Sequence, residues 1–243
     1  MLLLISDAFD ASMHEKLKAF GEVTLDKARL GEADVVLVRS KTKCTKEYID
    51  SAKNLKLIIR GGVGIDNIDS VYAQSKGVMV RNTPKSSAIA VAELTFALML
   101  SIPVHLIEAH NSMAKGEWNK SIKRTELYGK TLALLGIGNI ATQVAQRALA
   151  FGMKVVAYDK YVSSSPVATM KATVEEAVRE ADYVSLHLPL TAETEGLFGQ
   201  HLIDACTKKP VVINTGRGGC VDAEAMARAL DDGRISWYAT DVY

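Results

Sequence analysis

Short runs of aliphatic and β-branched residues recur along the chain, separated by stretches whose apolar positions fall three or four apart. The first pattern belongs to strands buried on both faces, the second to helices packed along one side. In the first part of the chain the strand-like runs cover residues 2–6, 34–39, 55–60 and 78–81, with helical segments over 11–20, 46–53 and 68–76. The second part gives strands over 131–135, 154–159, 183–188, 211–214 and 236–242. A helix from Val174 opens with Thr173 and Glu176 at capping-box spacing, and the helix after Val221 takes Asp222 as its cap. Strands and helices alternating in this way predict parallel sheets covered by helices. Between the two parts a helical tract runs over about residues 87–115 and closes at Gly116. Pro103 lies inside it, which predicts a kink or a break into two helices. The tract is read as joining two α/β units with a cleft between them.

One junction carries chemistry. The run at 131–135 ends in Gly136-Ile-Gly138-Asn139-Ile140-Ala141 and passes straight into a helical pattern. The first glycine permits a tight turn, the second lets the backbone approach a pyrophosphate, and Ala141 is small enough for helix–strand packing. Unpaired N–H groups at the helix start, where Asn139 and Ile140 stand, then face the negative phosphates. Asp159 closes the next strand about twenty residues on, where a carboxylate accepts hydrogen bonds from an adenosine ribose. A glycine triplet alone could be no more than a turn. With the strand before, the helix after and the acid at this spacing, the segment reads as a dinucleotide site, and NAD is the expected cofactor.

Composition narrows the setting. A chain of 243 residues has room for two modest domains, since domains commonly run to about 100–150 residues. The net charge of +1 gives no reason to expect nucleic acid or an anionic membrane as partner. Cys44, Cys206 and Cys220 stand far apart, so they read as reduced core thiols, with no metal site or disulfide expected. The first residues lack a basic region and a long enough apolar run for a signal peptide. The longest apolar tract, 88–104, is interrupted by Glu93 and Pro103 and is too mixed for a membrane span. A cytoplasmic protein is expected.

Arg60-Gly-Gly-Val-Gly-Ile-Asp-Asn67, Asn82-Thr-Pro84, Val91-Ala-Glu93-Leu-Thr, the glycine turn, Asn214-Thr-Gly-Arg217-Gly and Ala239-Thr-Asp241-Val follow one another along the chain. In these motifs and their order the chain resembles the D-isomer-specific 2-hydroxyacid dehydrogenases over nearly its whole length, most of all their phosphoglycerate-oxidising branch. The resemblance implies an α/β protein of two doubly wound parallel-sheet domains. A flavodoxin-like substrate-binding domain would occupy residues 1–96. A Rossmann NAD-binding domain would occupy 97–243, incomplete at its C-terminal end, with a sheet edge left exposed.

It also implies roles. Arg217 would contact the carboxylate and carbonyl of the substrate, for which a planar guanidinium offers paired donors and favours charge growing on the carbonyl oxygen. The alternative is a surface arginine on a turn, but that leaves the room made by Gly216, Gly218 and Gly219 unexplained. Val63 and Gly64 would hold the substrate carboxylate through backbone N–H groups. Thr215 and Gly216 would line the nicotinamide side, and Asp241 would bond the nicotinamide carboxamide. Leu188 falls where relatives contact the adenosine portion, or it is plain core, and His187 beside it reads as a packed residue without chemistry. Arg39 stands where phosphoglycerate-oxidising relatives place an arginine near the substrate phosphate. With Lys41 and Lys43 it is either a site for that dianion or a solvated basic loop.

Family members use an arginine, a glutamate and a histidine together. The glutamate is expected just beyond the Ala-Thr-Asp-Val block and the histidine further on, both past Tyr243, and none of His14, His105, His110, His187 or His201 matches. The expectation is a truncated form of an active dehydrogenase, with little activity of its own. The implied function is hydride transfer between NAD and a D-2-hydroxy acid, 3-phosphoglycerate first, within serine biosynthesis. A glyoxylate or hydroxypyruvate reductase of the same family stands as the alternative, as does a non-catalytic NAD(H)-responsive binding protein. The expected partners are a small 2-hydroxy or 2-oxo acid and a second copy of the chain, as a homodimer.

Overall fold

Leu2, Leu3, Leu4 and Ile5 are all buried, so strand β1 (Leu2–Ile5) is covered on both faces, as a parallel strand between helices must be. The computed structural model describes residues 1–242 and divides into two units, Met1–Ser87 and Ala88–Tyr243. In the first, β1 is joined by β2 (Glu22–Thr24), β3 (Val35–Val38), β4 (Leu57–Arg60) and β5 (Met79–Asn82). All pairs are parallel and the order is β2-β1-β3-β4-β5, the flavodoxin-like order expected. Successive residues of β3 face opposite ways. Val36 and Val38 pack with Leu4, Ile58 and Cys44, while Val35 and Leu37 pack with Leu3 and Ile5. Helices α1 (Ala11–Leu17), α2 (Lys46–Ser51) and α3 (Ser70–Ser75) connect the strands. The last begins later than the apolar pattern suggests because Asp69 caps it, its carboxylate accepting from the Tyr72 N–H.

The second unit opens with α4 (Ala88–Ser101) and α5 (Leu106–Ala114), bent 65° apart across the break that holds Pro103. Its six strands are β6 (Thr131–Leu135), β7 (Lys154–Tyr158), β8 (Thr169–Met170), β9 (Tyr183–Leu186), β10 (Val211–Asn214) and β11 (Trp237–Thr240). They lie in the order β11-β10-β9-β6-β7-β8, all parallel. Counted within the unit, this is the dinucleotide-binding order, with β6 and β9 flanking the point where the winding reverses. Six strands of this sheet are present among the described residues, and β11 forms one edge of the sheet with Trp237 half exposed.

One face of this sheet packs against α6 (Asn139–Ala150) and α4 through Leu132, Leu134 and Ile213 meeting Ala145, Ala148, Phe96 and Met99. The other packs against α7 (Val174–Val178), α8 (Gln200–Ala205) and α9 (Ala223–Asp231) through Ala133, Leu135, Val184 and Val212. Because α4 buries Ala92, Phe96 and Met99 in this core, the division between units falls after Ser87, ahead of the 96–97 boundary expected from the sequence. The sequence pattern also misses β2 and β8, edge strands too short to show a period. Among the described residues no single helix is long and apolar enough to cross a membrane.

Candidate functional site

In the second unit the candidate residues gather at the carboxyl ends of β6, β7, β9, β10 and β11. Gly136, directly after β6, has φ 88°, and a Cβ there would stand 2.8 Å from the His187 carbonyl oxygen. Only glycine fits both the angle and the approach. Gly138 is different. It caps α6 with an ordinary φ of −73°, and nothing lies within 4 Å of where its Cβ would be. The absent side chain therefore leaves room above a helix start. Among the described residues the N–H groups of Gly138, Asn139 and Ile140 have no acceptor. Those donors and the positive end of the helix suit a pyrophosphate. Ala141, on the inner face of α6, is fully buried, as the close packing requires.

Asp159 is half-buried at the end of β7, and three backbone donors hold it. Oδ2 accepts from the Ile137 N–H inside the glycine turn at 2.9 Å, and Oδ1 accepts from Tyr161 at 2.8 Å and Val162 at 3.1 Å. A carboxylate has about four acceptor positions, so capacity for a ribose hydroxyl remains. The acid thus also fixes the turn beneath the pyrophosphate. Leu188 lies against Gly136, its Cδ2 3.1 Å from the Cβ position there, and also packs on the core. His187 is half-buried, with Nε2 2.9 Å from Ser185 Oγ, and desolvation of its ring pushes its pKa down to about 4. It is neutral near pH 7 and serves as a packed residue.

The Asn-Thr-Gly-Arg segment is locked by Asn214, which is fully buried. Its Oδ1 accepts from the Gly216 N–H at 3.0 Å and its Nδ2 donates to the Arg217 carbonyl at 2.9 Å. Thr215 Oγ1 lies 3.0 Å from the buried Thr95 Oγ1, which donates to the Val91 carbonyl of α4. Arg217 is half-buried, with Nη1 donating to the Gly216 carbonyl at 2.8 Å. Thr240 ties β11 to the same place, its hydroxyl donating to the Asn214 carbonyl at 2.9 Å and accepting from Val242 N–H at 3.1 Å. The exposed Asp241 sits between those two anchors. Asn214, Thr95 and Thr240 are positioning residues that sequence reasoning did not single out. Asn214 left a signal, since an asparagine bonding the N–H two residues on is a turn device. Thr95 left none, because its partner lies far along the chain.

In the first unit the Gly-Gly-Val-Gly segment follows β4. Thr83 Oγ1 accepts from the Gly62 N–H at 2.8 Å, and Asn82 Nδ2 donates to the Val63 carbonyl at 2.5 Å. The Asn-Thr-Pro motif is therefore the brace of this loop. The N–H groups of Val63 and Gly64 have no acceptor among the described residues. After β3, the backbone N–H of Arg39 donates to Asp7 Oδ2 at 2.6 Å, and Thr42 Oγ1 donates to Asp7 Oδ1 at 2.6 Å. Asn67 Nδ2 donates to the carbonyls of both Arg39 and Thr42. Burial alone would raise the Asp7 carboxyl, but the Thr42 hydroxyl and the two backbone donors together hold it below its usual value. The loop is rigid at its base and exposes Arg39, Lys41 and Lys43.

Burial pushes the Cys44 and Cys206 thiols up to about 12 and about 11, so neither is a thiolate near neutral pH. Among the described residues no group of His, Cys, Asp or Glu could hold a metal ion.

The profile of the D-isomer specific 2-hydroxyacid dehydrogenase NAD binding domain matches residues 96–243. The D-3-phosphoglycerate dehydrogenase of Methanocaldococcus jannaschii is 39% identical over 254 residues, covering 99% of this chain and 48% of its own length. The hydroxypyruvate reductase of Thermotoga maritima is 42% identical over 213 residues, covering 87% of this chain and 70% of its own. Among solved structures, the D-lactate dehydrogenase of Aquifex aeolicus, complexed with NAD and lactic acid, superposes with a TM-score of 0.89 at 30% identity. That match covers all of this chain and 77% of the other. The chain spans about half the length of the phosphoglycerate dehydrogenases it matches. A dinucleotide-binding sheet, an open helix start beside an anchored acid, and a braced Asn-Thr-Gly-Arg turn are what this likeness describes, and the chain belongs to the D-isomer-specific 2-hydroxyacid dehydrogenase family, with NAD as its cofactor.

Proposed function

We propose that this chain supplies the cofactor-binding and substrate-anchoring groups of an NAD-dependent D-2-hydroxyacid dehydrogenase acting on 3-phosphoglycerate. One observation carries the reading. Gly136 to Ile140, Asp159, Leu188, Thr215 to Arg217 and Asp241 all stand at the carboxyl ends of one sheet, where doubly wound folds bind their ligands. Bound NAD would accept or return a hydride at its nicotinamide ring. The start of α6 would hold the pyrophosphate, Asp159 would accept from the ribose, and Thr215, Gly216 and Asp241 would orient the nicotinamide end. Arg217 presents two parallel donors to the substrate carboxylate and carbonyl oxygen, favouring the charge that grows there on reduction.

In the first unit, the N–H groups of Val63 and Gly64, without an acceptor among the described residues, suit a carboxylate, and the exposed cations of the Arg39 loop suit a phosphate. Proton transfer is assigned to the glutamate and histidine that the family places beyond residue 243. His187 does not substitute, being neutral and paired with Ser185. The desolvated, un-ionised thiols of Cys44 and Cys206 agree with a cytoplasmic setting, and the exposed Leu106, Ile107 and Met113 of α5 agree with association as a homodimer.

The substrate is tested by thermal shift of the NAD-loaded chain with 3-phosphoglycerate and with D-glycerate, and of the NADH-loaded chain with hydroxypyruvate. A larger shift with 3-phosphoglycerate, abolished in Arg39→Ala, is expected. An equal shift with D-glycerate or hydroxypyruvate would favour the second reading, a hydroxypyruvate reductase, which the likeness to the Thermotoga maritima enzyme supports.

A further inference from the structure

Lys160 directly follows Asp159, and a cation at that position works against an acid whose task is to turn away a 2′-phosphate. The structure gives the lysine another occupation. Its Nζ donates to both carboxylate oxygens of Glu193, each at 2.7 Å, so that the loop after β7 is joined to the loop after β9.

Both ends of this pair leave fixed backbone. On the lysine side, Asp159 Oδ1 gathers the N–H groups of Tyr161 and Val162, which sets the course of the chain through residue 160. On the glutamate side, Thr194 Oγ1 accepts from the Thr191 N–H at 2.8 Å and donates to the Pro189 carbonyl at 2.6 Å. The Thr191 carbonyl accepts from Thr194 and Glu195, and the Gly196 N–H donates to the Gly219 carbonyl at 2.8 Å. Glu193 stands on that braced turn, which fixes where its side chain leaves the backbone.

We infer that Glu193 determines the preference for NAD over NADP by holding the Lys160 ammonium in a two-pronged ion pair. The inference rests on the reading of the glycine turn and Asp159 as the NAD site. With the two charges matched, Asp159 is the uncompensated charge at the ribose, and a phosphate there meets repulsion. Without Glu193 the same ammonium is free to swing to a 2′-phosphate, which would then find a cation beside the acid. The Glu193 hydrogen bond holds the Lys160 ammonium above its ordinary value, so the lysine is fully charged near neutral pH. Both side chains are more than half exposed, so the pair contributes little to stability and is screened by salt. Its consequence lies in recognition.

The test is a fluorescence titration of NADH and NADPH against the full chain, Glu193→Gln, Lys160→Met and the double variant, at low and high salt. Wild type should bind NADH more tightly. Glu193→Gln should tighten NADPH about five-fold at low salt, the scale of one exposed charge contact, with NADH changed less than about two-fold. The gain should shrink at high salt and vanish in the double variant, because no lysine remains to recruit. An unchanged NADPH affinity in Glu193→Gln would overturn the inference. So would an equal gain in the double variant, which would trace it to the general loss of a negative charge. If wild type binds neither nucleotide, the cofactor reading itself fails, and this inference with it.

Discussion

At the scale of single residues, the groups that look most reactive are the ones the fold has quieted. His187 sits among the candidate residues, yet its imidazole is desolvated, bonded to Ser185 and held down to about 4 from 6.5. Above pH 6.5 the folded and unfolded chains both carry it neutral, and it contributes nothing to pH dependence. Between pH 6.5 and 4 the unfolded chain takes up a proton that the folded chain refuses, so stability falls as the pH drops. The ceiling on that loss is about 3 kcal/mol. His187→Gln keeps a partner for Ser185 and cannot titrate, so its urea midpoint should fall less than that of wild type between pH 7 and pH 4. Parallel midpoints for the two proteins would mean that His187 titrates normally inside the fold. The sequence marked this histidine as a packed residue from its place at the end of an apolar strand, and here local pattern was enough.

At the scale of elements, two glycines two residues apart have opposite physical duties. Gly136 is required by its own backbone, at φ 88° and with a carbonyl oxygen 2.8 Å from where a Cβ would stand, whereas Gly138 has an ordinary backbone and empty space above it. Gly136→Ala should therefore lower the melting temperature, since a left-handed non-glycine costs about 1–2 kcal/mol before any clash is counted. Gly138→Ala should leave the melting temperature near that of wild type and weaken NADH at least about ten-fold, by filling the space a pyrophosphate needs. A melting temperature lost equally in both variants would show that the second glycine is structural. Fluorescence titration and thermal melts of the two proteins decide it. The motif was visible in the sequence as a unit, but its division of labour was not. That depends on the His187 carbonyl, just after β9, brought alongside Gly136 from more than fifty residues on in the chain.

At the scale of the molecule, the proposed function gives each unit its own donors, and it assigns proton transfer to the glutamate and histidine of the family pattern, which none of His14, His105, His110, His187 or His201 matches. A positioned general acid is worth about 10²–10⁴ in rate. The 243-residue chain should thus bind NADH yet turn over 3-phosphoglycerate or hydroxypyruvate at least about 10²-fold more slowly than the Thermotoga maritima hydroxypyruvate reductase assayed beside it. Comparable turnover would show that a group among these residues supplies the proton.

Periodicity alone determined that this is an α/β protein of parallel strands, because burial on both faces writes itself as unbroken runs such as Val35–Val38 and Thr131–Leu135. Glycine spacing and the acid after β7 determined the cofactor, since those residues act through their own backbone and charge. The break at Pro103 was equally local. What only the tertiary structure decided is whatever depends on distant partners. Helix α4 joins the second unit because Phe96 and Met99 find their core there. The short strands β2 and β8 exist because a neighbouring strand offers them a ladder. The Thr95–Thr215 bond and the Lys160–Glu193 pair join residues 120 and 33 positions apart, a separation at which local pattern holds no information about contact.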